Sequence, residues 1–544
     1  MLDSLPPGTT PATDVVSQKI LINGTALSNE VLLSRVIVNK TFNKISDAKI
    51  VFLDGSASDA DFPLSDNDNY KPGNQIEIQL GYHGQVDTVF KGIIVKHGIK
   101  VRQNGISLLI IEAKDMAITL TSNRNSAYYI NQKDSDVIST LAGGLSTDIA
   151  TTDVTHPQLI QFDSTNWDFI LTRAEANGML VLTDDGKLII KKPSTTGSSA
   201  LTVTYGQDIF EFEAEMDARR QIAGVSSISW DYTQQQTEQS SQGSAAFADN
   251  GNISISDLGK VLNAQVLLNH PGHLTQAQLQ DWSDAYELKN YLSKNVGRVR
   301  IQGNASLKPG SLITLKGVGD RFNGNVFVSG VMHVFDGQWL TDVQFGWSED
   351  WFYKKEDVMN KPTAGLLPGV NGLLIGTVLD TNDTDAGQYR VKVQVPTITS
   401  GNDGMWARVA TLDAGDNRGS YFRPQASDEV VLGFLNDDPR EPIILGYLHS
   451  SSSKQSPLPV DAGAEQYGFV TKSGVKLIFD DTNKRMTLSV TTDMGQKSVV
   501  INDDSGALTM TDENQNSIKM DSSGITIQAG IGNVIIKGLQ VMIN

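Results

Sequence analysis

The last part of the chain, residues 466–544, alternates apolar and polar side chains with a period of two, which predicts β-strands. Polar turns such as Asp-Asp-Ser-Gly at 503–506 and Ser-Ser-Gly at 522–524 separate these short segments. A narrow ribbon of this kind cannot bury its own apolar face. Three copies packed around one axis would do so, gaining about 25 cal/mol for each Å² of apolar surface removed from water. The pattern therefore predicts a trimeric, needle-like β-structure.

Composition limits the classes of protein to which the chain can belong. With 544 residues it has room for three or four domains with cores of their own. It carries 44 basic and 62 acidic residues, and its net charge of −18 argues against general binding to nucleic acid or anionic membranes. It contains no cysteine, which excludes disulfides and thiolate metal sites.

The N-terminal residues lack the basic and apolar regions of a signal peptide, and no apolar run approaches the roughly 18 residues of a membrane span. We therefore expect synthesis and folding in the cytoplasm. Any work outside the cell would follow lysis or release within an assembled particle.

Residues 1–365 contain a repeated motif. Lys-Pro-Gly turns at 71–73 and 308–310 each precede a strand pattern, and in both the interval from lysine to a later phenylalanine, Phe90 or Phe327, is the same. The repetition predicts two related β-barrels, although chance similarity of two hairpins remains an alternative. Between them, Thr165 and Thr275 are predicted to cap helices that end at Gly178 and near Asn295.

Two further segments lie in the same part of the chain. A hairpin is predicted from 179 to 191, with its turn at Asp185 and Gly186, and the polar stretch 233–252 is predicted to be a loop. On the helix after Thr165, Trp167 is expected to pack in the core and Arg173 to lie at the surface.

Residues 366–450 have the pattern of a small barrel. Five strand candidates at 373–379, 389–395, 406–410, 429–434 and 443–448 suit an OB-fold. Single-strand nucleic-acid binding by such a fold needs a basic groove. Residues 371–450 contain 6 basic and 11 acidic residues, so we expect no nucleic-acid partner. A Ser/Pro linker at 451–465 leaves no room for a further domain before 466–544.

Several of these segments resemble one family. The stretches Lys-Ser-Gly-Val-Lys-Leu-Ile-Phe-Asp-Asp at 472–481 and Asn-Ser-Ile-Lys-Met-Asp-Ser-Ser-Gly-Ile at 516–525 resemble the spike β-helix of VgrG proteins and contractile phage-tail spikes. Residues 166–178 with the Lys-Pro-Gly turns resemble the hub domain of the same proteins. Trp406-Ala-Arg-Val409 and Tyr421-Phe-Arg-Pro424 resemble their OB domain. An ordinary solenoid or tail-fibre stem is the alternative for the C-terminal segment alone.

The resemblance implies a fold that is mainly β with some α. It consists of a duplicated β-barrel hub domain with helices (1–365), an OB-fold barrel (366–450), a linker (451–465) and a trimeric β-helix, or β-prism, needle (466–544). It also implies a structural spike of a contractile injection particle, of the phage-tail, type VI secretion or extracellular kind. In that family three chains with two barrels each seat on a hexameric tail tube, next to baseplate proteins, and the needle contacts the target membrane transiently.

No motif for catalysis or cofactor binding occurs in the sequence, which predicts a protein that is not an enzyme and binds no cofactor. His270 and His273 could offer two metal ligands around a Pro-Gly turn, but the sequence fixes no third ligand, so no metal site is predicted. A trimeric β-helical glycan depolymerase with paired carboxylates is the alternative function. The aspartates of the C-terminal segment, however, lie in turns that already explain them.

The end of the chain is the one predicted binding site. Residues 533–544 look like an apolar strand series, and three copies would leave open backbone edges at a blunt end. By resemblance, a small PAAR-type tip protein would bind there as a cone. Alternatively, these residues close only the needle's own core. The predicted tip-binding residues are Val541, Met542, Ile543 and Asn544.

Overall fold

The computed structural model divides the chain into two units, Met1–Asn360 and Lys361–Asn544. The described residues are 15–28, 30–103, 106–348, 350–354, 358, 361–383, 389–398, 403–451, 454–460, 463 and 465–543. Within these residues, no helix has the length and apolar character needed to cross a membrane.

Strands dominate the first unit. They are β1 (Val16–Ile22), β2 (Thr25–Ala26), β3 (Leu33–Thr41), β4 (Asp47–Leu53), β5 (Gln75–Tyr82), β6 (Gln85–Val101), β7 (Ser107–Lys114), β8 (Arg124–Lys133), β9 (Ser146–Ile149), β10 (Thr155–Thr165), β11 (Leu180–Asp184), β12 (Lys187–Lys191), β13 (Leu201–Thr204), β14 (Glu211–Glu215), β15 (Gly224–Asp231), β16 (Gln236–Gln239), β17 (Gln265–His270), β18 (Val296–Gln302), β19 (Leu312–Lys316), β20 (Gly324–Phe335) and β21 (Trp339–Phe345). The helices are α1 (Asp134–Leu141), α2 (Asn166–Ala176), α3 (Ile255–Leu262) and α4 (Gln276–Leu292).

One strand order occurs twice in the first unit. The first copy has the order β1-β5-β6-β7-β4-β3, and the second has β13-β19-β20-β21-β18-β14. The outermost pair differs, because β1 is antiparallel to β5 whereas β13 is parallel to β19. Antiparallel pairing of β3 with β20 joins the copies into one sheet. The repetition is therefore present, in two halves that are joined into one continuous 13-stranded sheet.

The two Lys-Pro-Gly turns have the same backbone hydrogen bonds. The amide of Gly73 donates to the carbonyl of Ile94 at 2.8 Å, and the amide of Gly310 donates to the carbonyl of Val328 at 2.8 Å. Both glycines have positive φ, 101° and 93°, a conformation that side chains with a Cβ rarely adopt. The repeated motif therefore encodes a repeated turn.

The equal spacing from lysine to phenylalanine, in contrast, is a coincidence. Ile94 and Val328 occupy equivalent places opposite the two turns, yet Val328 directly follows Phe327 whereas Ile94 lies further from Phe90. The two phenylalanines are therefore not equivalent in the fold. Both are nevertheless buried, because each falls on an inward-facing position of its strand.

The helix caps predicted from the sequence are present. Thr165 Oγ1 accepts a hydrogen bond from the amide of Asp168 at 3.0 Å, and Gly178 with φ of 67° follows the end of α2. Thr275 and Gln278 form a reciprocal capping box at the start of α4. This helix ends at Leu292, before the expected Asn295, because the chain turns there into β18.

The hairpin predicted at 179–191 is formed by β11 and β12, which pair antiparallel around Asp185 and Gly186. The stretch 233–252, predicted to be a loop, contains β16, which pairs antiparallel with β15. Near the end of this stretch, Asp249 accepts a hydrogen bond from Lys294 Nζ at 2.8 Å. This segment is thus tied to the fold. The prediction of a loop is wrong for the strand Gln236–Gln239 and is confirmed for 240–252, which forms no helix or strand.

Arg173 is not the free surface residue that the sequence suggested. Its guanidinium bonds to the buried carboxylate of Asp134, with Nε 2.6 Å from Oδ1. His156 Nε2 and Asn177 Nδ2 each lie 2.9 Å from Oδ2 of the same carboxylate. Asp134 begins α1, a short helix that the periodicity analysis missed, so its partners were not foreseen. Trp167 is buried as expected.

This network ties α1, α2 and β10 together and sets the charge state of Asp134. Burial alone would raise the pKa of Asp134, but hydrogen bonds from His156 and Arg173 outweigh burial and hold the pKa of this carboxyl well below its usual range. Gln278 Nε2 lies 3.0 Å from His156 Nδ1, which extends the network to α4.

The second unit contains a closed barrel and a separate sheet. The barrel strands are β22 (Leu374–Asp380), β23 (Val391–Gln394), β24 (Met405–Val409), β27 (Glu429–Phe434) and β28 (Pro442–Tyr447), and a small hairpin is formed by β25 (Ala414–Gly415) and β26 (Arg418–Gly419). The barrel closes in the order β22-β23-β24-β28-β27. This arrangement confirms the OB-like barrel, with every expected strand shifted by a few residues at most.

The remaining strands form a seven-stranded sheet after the linker. They are β29 (Gln466–Val470), β30 (Val475–Asp480), β31 (Arg485–Thr492), β32 (Gly495–Asn502), β33 (Ala507–Thr511), β34 (Ser517–Asp521) and β35 (Gly524–Gln528). Each strand pairs antiparallel with the next along the chain. The prediction of alternating strands in this segment is therefore confirmed.

We expect Asp134→Ala to destabilise the first unit by about 3 kcal/mol, because it leaves Arg173 partly buried without its carboxylate. Asp136→Ala is the matched control, since Asp136 is exposed on the same helix and should cost less than about 1 kcal/mol. The measurement is urea unfolding followed by tryptophan fluorescence.

The effect should depend on pH. The pKa of Asp134 is lower in the folded than in the unfolded state, so its contribution is complete above the unfolded value of about 4 and is lost as the pH falls below it. The difference between wild type and variant should therefore shrink between pH 7 and pH 3. A difference that is constant over this range would contradict the assignment.

Candidate assembly site

The seven-stranded sheet of residues 466–528 is one antiparallel meander, and its register decides which side chains share a face. Leu477 pairs with Leu488, and Leu488 pairs with Val499. Because side chains two positions apart lie on the same face of a strand, these pairs place the apolar positions of every strand on one side.

The result is two continuous rows of apolar side chains that cross all the strands, which we call the apolar face. The first row contains Phe469, Leu477, Leu488, Val499, Met510, Ile518 and Ile527, and the second row contains Tyr467, Phe479, Met486, Ile501, Leu508, Met520 and Ile525.

No residue of the apolar face is buried, and several are more than half exposed, with Ile525 at 67%, Tyr467 at 58% and Ile527 at 55%. The buried residues of these strands, namely Asp480, Ser489 and Ala507, all lie on the opposite face. A contiguous exposed apolar surface of this extent marks an interaction site in a soluble protein. The apolar face is therefore a candidate interaction surface, which the described residues of one chain leave exposed.

The aspartates between the strands act in turns. Asp512 Oδ1 accepts hydrogen bonds from the amides of Asn514 at 3.0 Å and Asn516 at 2.9 Å, and Asp521 Oδ1 accepts one from the amide of Ser523 at 2.8 Å. The side-chain hydrogen bond from Asn516 lowers the pKa of Asp512, and the bond from Lys519 lowers the pKa of Asp521. Both carboxylates are thus ionised turn-formers, as the sequence predicted, and are poor proton donors at neutral pH.

Contacts within the second unit fix the start of this sheet to the barrel. The ring of Phe469 on β29 stacks on Phe422, with centroids 5.4 Å apart. The hydroxyl of Tyr447 on β28 donates to the carbonyl of Phe422 at 2.7 Å. Phe422 thereby links a barrel strand to the first strand of the sheet. The sequence showed the aromatic residues but gave no indication that they meet.

The predicted tip-binding residues lie after the last strand. Val541 is 50% exposed, Met542 80% and Ile543 90%, and Asn544 lies outside the described residues. The chain forms no strand between 529 and 543, so the strand series predicted for 533–544 is wrong for the described part. Apolar alternation alone does not form a strand here, because no neighbouring strand of the same chain lies alongside it to accept its hydrogen bonds.

Comparison with known families gives two matches, which together cover most of the chain. Residues 12–336 match the family of the Alg8 N-terminal domain, which is more than half of the chain. Residues 374–449 match the family of the type VI secretion system/phage-baseplate injector OB domain. The second match coincides with the closed barrel.

Individual relatives are similar over shorter stretches. The type VI secretion system spike protein VgrG3 of Vibrio cholerae is 36% identical over 100 residues, which are 17% of this chain and 10% of that protein. The spike protein VgrG1a of Pseudomonas aeruginosa is 36% identical over 72 residues, 13% of this chain and 11% of that protein. The chain thus spans about a tenth of the length of these curated relatives.

Among solved structures, a tail protein from Neisseria meningitidis aligns with a TM-score of 0.45 and 13% identity, over 62% of this chain and 98% of that chain. The E. coli c3393 protein, a type VI secretion component, aligns with a TM-score of 0.41 and 14% identity, over 79% of this chain and 100% of that chain. These scores are too low to add to the assignment. On the family matches, the chain belongs to the Alg8 N-terminal domain family, and it is similar to VgrG spike proteins and to the injector OB domain over shorter stretches.

Proposed function

We propose that this chain is the structural central spike and hub of a contractile injection particle, adapting a hexameric tail tube to a three-fold, membrane-piercing needle. The observation that carries the proposal is the apolar face, which runs across all seven strands and is left uncovered by the described residues of the chain. The matches to spike proteins and to the injector OB domain support the same function.

Three chains form the simplest assembly that would cover the apolar face of each chain. Three such sheets arranged around one axis, each with its apolar face inward, would bury both rows of each sheet and leave the polar faces in water. On the polar face, the buried carboxylate of Asp480 and the turns formed by aspartates already have their hydrogen-bond partners within one chain. They therefore need no contact with a partner chain. The needle is accordingly the trimeric β-helix, or β-prism, that the resemblance implies.

The hub supports the same stoichiometry. Each chain presents one strand order twice, and three chains would therefore present it six times. Six similar surfaces around a three-fold axis match a hexameric tail tube, which lies with baseplate proteins at the hub end. The tube contact is a function of the first unit, and the piercing function belongs to the second.

A PAAR-type tip protein binds the exposed C-terminal residues in this proposal. Val541, Met542 and Ile543 are exposed apolar side chains at the end of the chain, and β35 leaves an open strand edge nearby in sequence. Partner proteins bind to open strand edges and exposed apolar ends of this kind. The assembly is built from chains made in the cytoplasm and acts as part of a particle, with only transient contact to the target membrane.

The work of this protein is mechanical in this proposal, and the chain hydrolyses no bond itself. A glycan depolymerase needs one carboxyl with a raised pKa as general acid. In the seven-stranded sheet, the side-chain hydrogen bond from Asn483 lowers the pKa of Asp480, and the pKa values of Asp512 and Asp521 are lowered as well. No observation favours the depolymerase alternative.

The purified chain should have three chain masses by light scattering. Ile518→Asp should prevent needle assembly, because it would place three charges near one axis, where each unpaired buried charge costs several kcal/mol. Thr526→Asp is the matched control, since Thr526 lies on the polar face of the neighbouring strand and should leave the trimer intact. A folded wild-type monomer at micromolar concentration would refute the trimer.

Truncation after Gly532 should leave the trimer intact and remove capture of the tip protein. The physical reason is that the apolar face ends at Ile527, whereas the exposed tip residues follow it. The measurement is a pull-down of a PAAR-type protein with the full-length and truncated chains. Undiminished capture by the truncated trimer would place the partner site elsewhere.

Incubation with purified cell-wall glycan or peptidoglycan should release no sugar or peptide. The released products can be measured by mass spectrometry, with a commercial lysozyme as the positive control. Release by this chain that disappears after a single carboxylate change such as Asp480→Asn would show that it is an enzyme.

A further inference from the structure

Two carboxylates and an imidazole of the first unit lie together although they come from three separate segments. Asp231 ends β15, Glu238 lies on β16, and His273 lies in the turn between β17 and α4. One ligand atom of each lies within 4.8 Å of the other two. We propose that Asp231, Glu238 and His273 form a binding site for one divalent transition-metal cation, such as zinc, that clamps the β15–β16 hairpin to the turn before α4.

The local backbone holds these groups in place. Glu238 pairs with Ser229 across the hairpin, and Ser229 Oγ lies 3.2 Å from both the amide and the carbonyl oxygen of Leu274, the residue after His273. Thr275 then begins the capping box of α4. His273 thus directly precedes a residue that is anchored to β15, the strand that pairs with β16.

The protein itself leaves the proposed ligands incompletely satisfied. Over the residues that the structure describes, the carboxylate of Glu238 accepts no hydrogen bond and forms no ion pair, and His273 makes no hydrogen bond. His273 Nδ1 lies 3.9 Å from Asp231 Oδ1, too far for a hydrogen bond but compatible with two ligands of one cation at about 2.0–2.2 Å from each. Two neighbouring carboxylates repel each other until a cation neutralises them.

Backbone amides hold the carboxylate of Asp231 in place. Its side chain is largely buried, and Oδ1 accepts hydrogen bonds from the amides of Thr233 at 2.8 Å and Gln234 at 3.3 Å. His273 and Tyr232 also line a cavity of about 730 Å³, which provides access for the cation and for water as a fourth ligand.

The donor set indicates the class of metal. One imidazole nitrogen with two carboxylate oxygens suits zinc and its first-row neighbours better than calcium, which prefers six or more oxygens. His270, the other histidine of the turn, is not part of the cluster, because its Nδ1 lies 2.9 Å from the carbonyl oxygen of Gly272. The hairpin thus supplies both of the ligands that join His273, and the sequence analysis identified neither of them. The site is structural, since nothing about it requires a reaction.

The test is zinc retention by the untagged, full-length protein. After dialysis against micromolar zinc and then metal-free buffer, metal content is measured by mass spectrometry. Wild type should retain one zinc per chain, whereas His273→Ala and Glu238→Gln should each retain none. His83→Asn is the matched control, because His83 lies in a distant turn with φ of 49°, which asparagine tolerates, and it should retain one zinc per chain.

Hydrogen exchange is a second measurement, and it distinguishes a specific zinc site from adventitious zinc binding. Zinc should slow hydrogen exchange of residues 233–238 and 270–275 in wild type and in His83→Asn, but not in His273→Ala. Circular dichroism checks that the variants fold, which is expected because the changed side chains of Glu238 and His273 are not buried. Absence of zinc from wild type, or equal zinc retention by His273→Ala, would overturn the proposal.

Discussion

The structure depends on one physical constraint, namely that a single chain makes a wide antiparallel sheet whose apolar face is left uncovered by the residues that the structure describes. Seven strands in register put every second side chain on the same side, so the apolar surface grows with each added strand. In a β-sandwich, a second sheet of the same chain covers such an apolar face. Here the barrel precedes the sheet and contacts its first strand through Phe422 and Phe469. In the function we propose, other chains cover this face.

The first unit is built from a repeated arrangement of strands. Its two copies of one strand order are joined through β3 and β20, so that the repeated surface is rigidly built into one sheet. The buried Asp134 network and the caps of α2 and α4 hold the helices against this scaffold. Duplication within the chain and trimerisation of the needle together account for a hub with sixfold character above a threefold needle, in the function we propose.

The sequence predicted those features that depend on local patterns. Period-two alternation identified the sheet of the second unit and the barrel strands, and Thr165 and Thr275 were recognised as caps because their partners lie three residues away. It did not predict features that depend on distant pairing. The join of β3 to β20, the partners of Arg173 and the approach of Glu238 to His273 all bring together residues far apart in the chain.

The predicted tip site shows the same limit. Residues 533–543 have the alternation of a strand, yet in a single chain they have no neighbour with which to pair. Strand formation requires a partner as well as a pattern. Whether these residues bind a tip protein is thus a property of the assembly and not of the isolated chain.

The central claim is that three apolar faces meet around one axis, and a distance measurement between identical positions tests it directly. The chain has no cysteine, so Thr509→Cys on the polar face places one spin label on each chain. Pulsed electron paramagnetic resonance should then show one interlabel distance with the modulation depth of three coupled spins. Absence of dipolar modulation, or the depth of a two-spin system, would contradict the account.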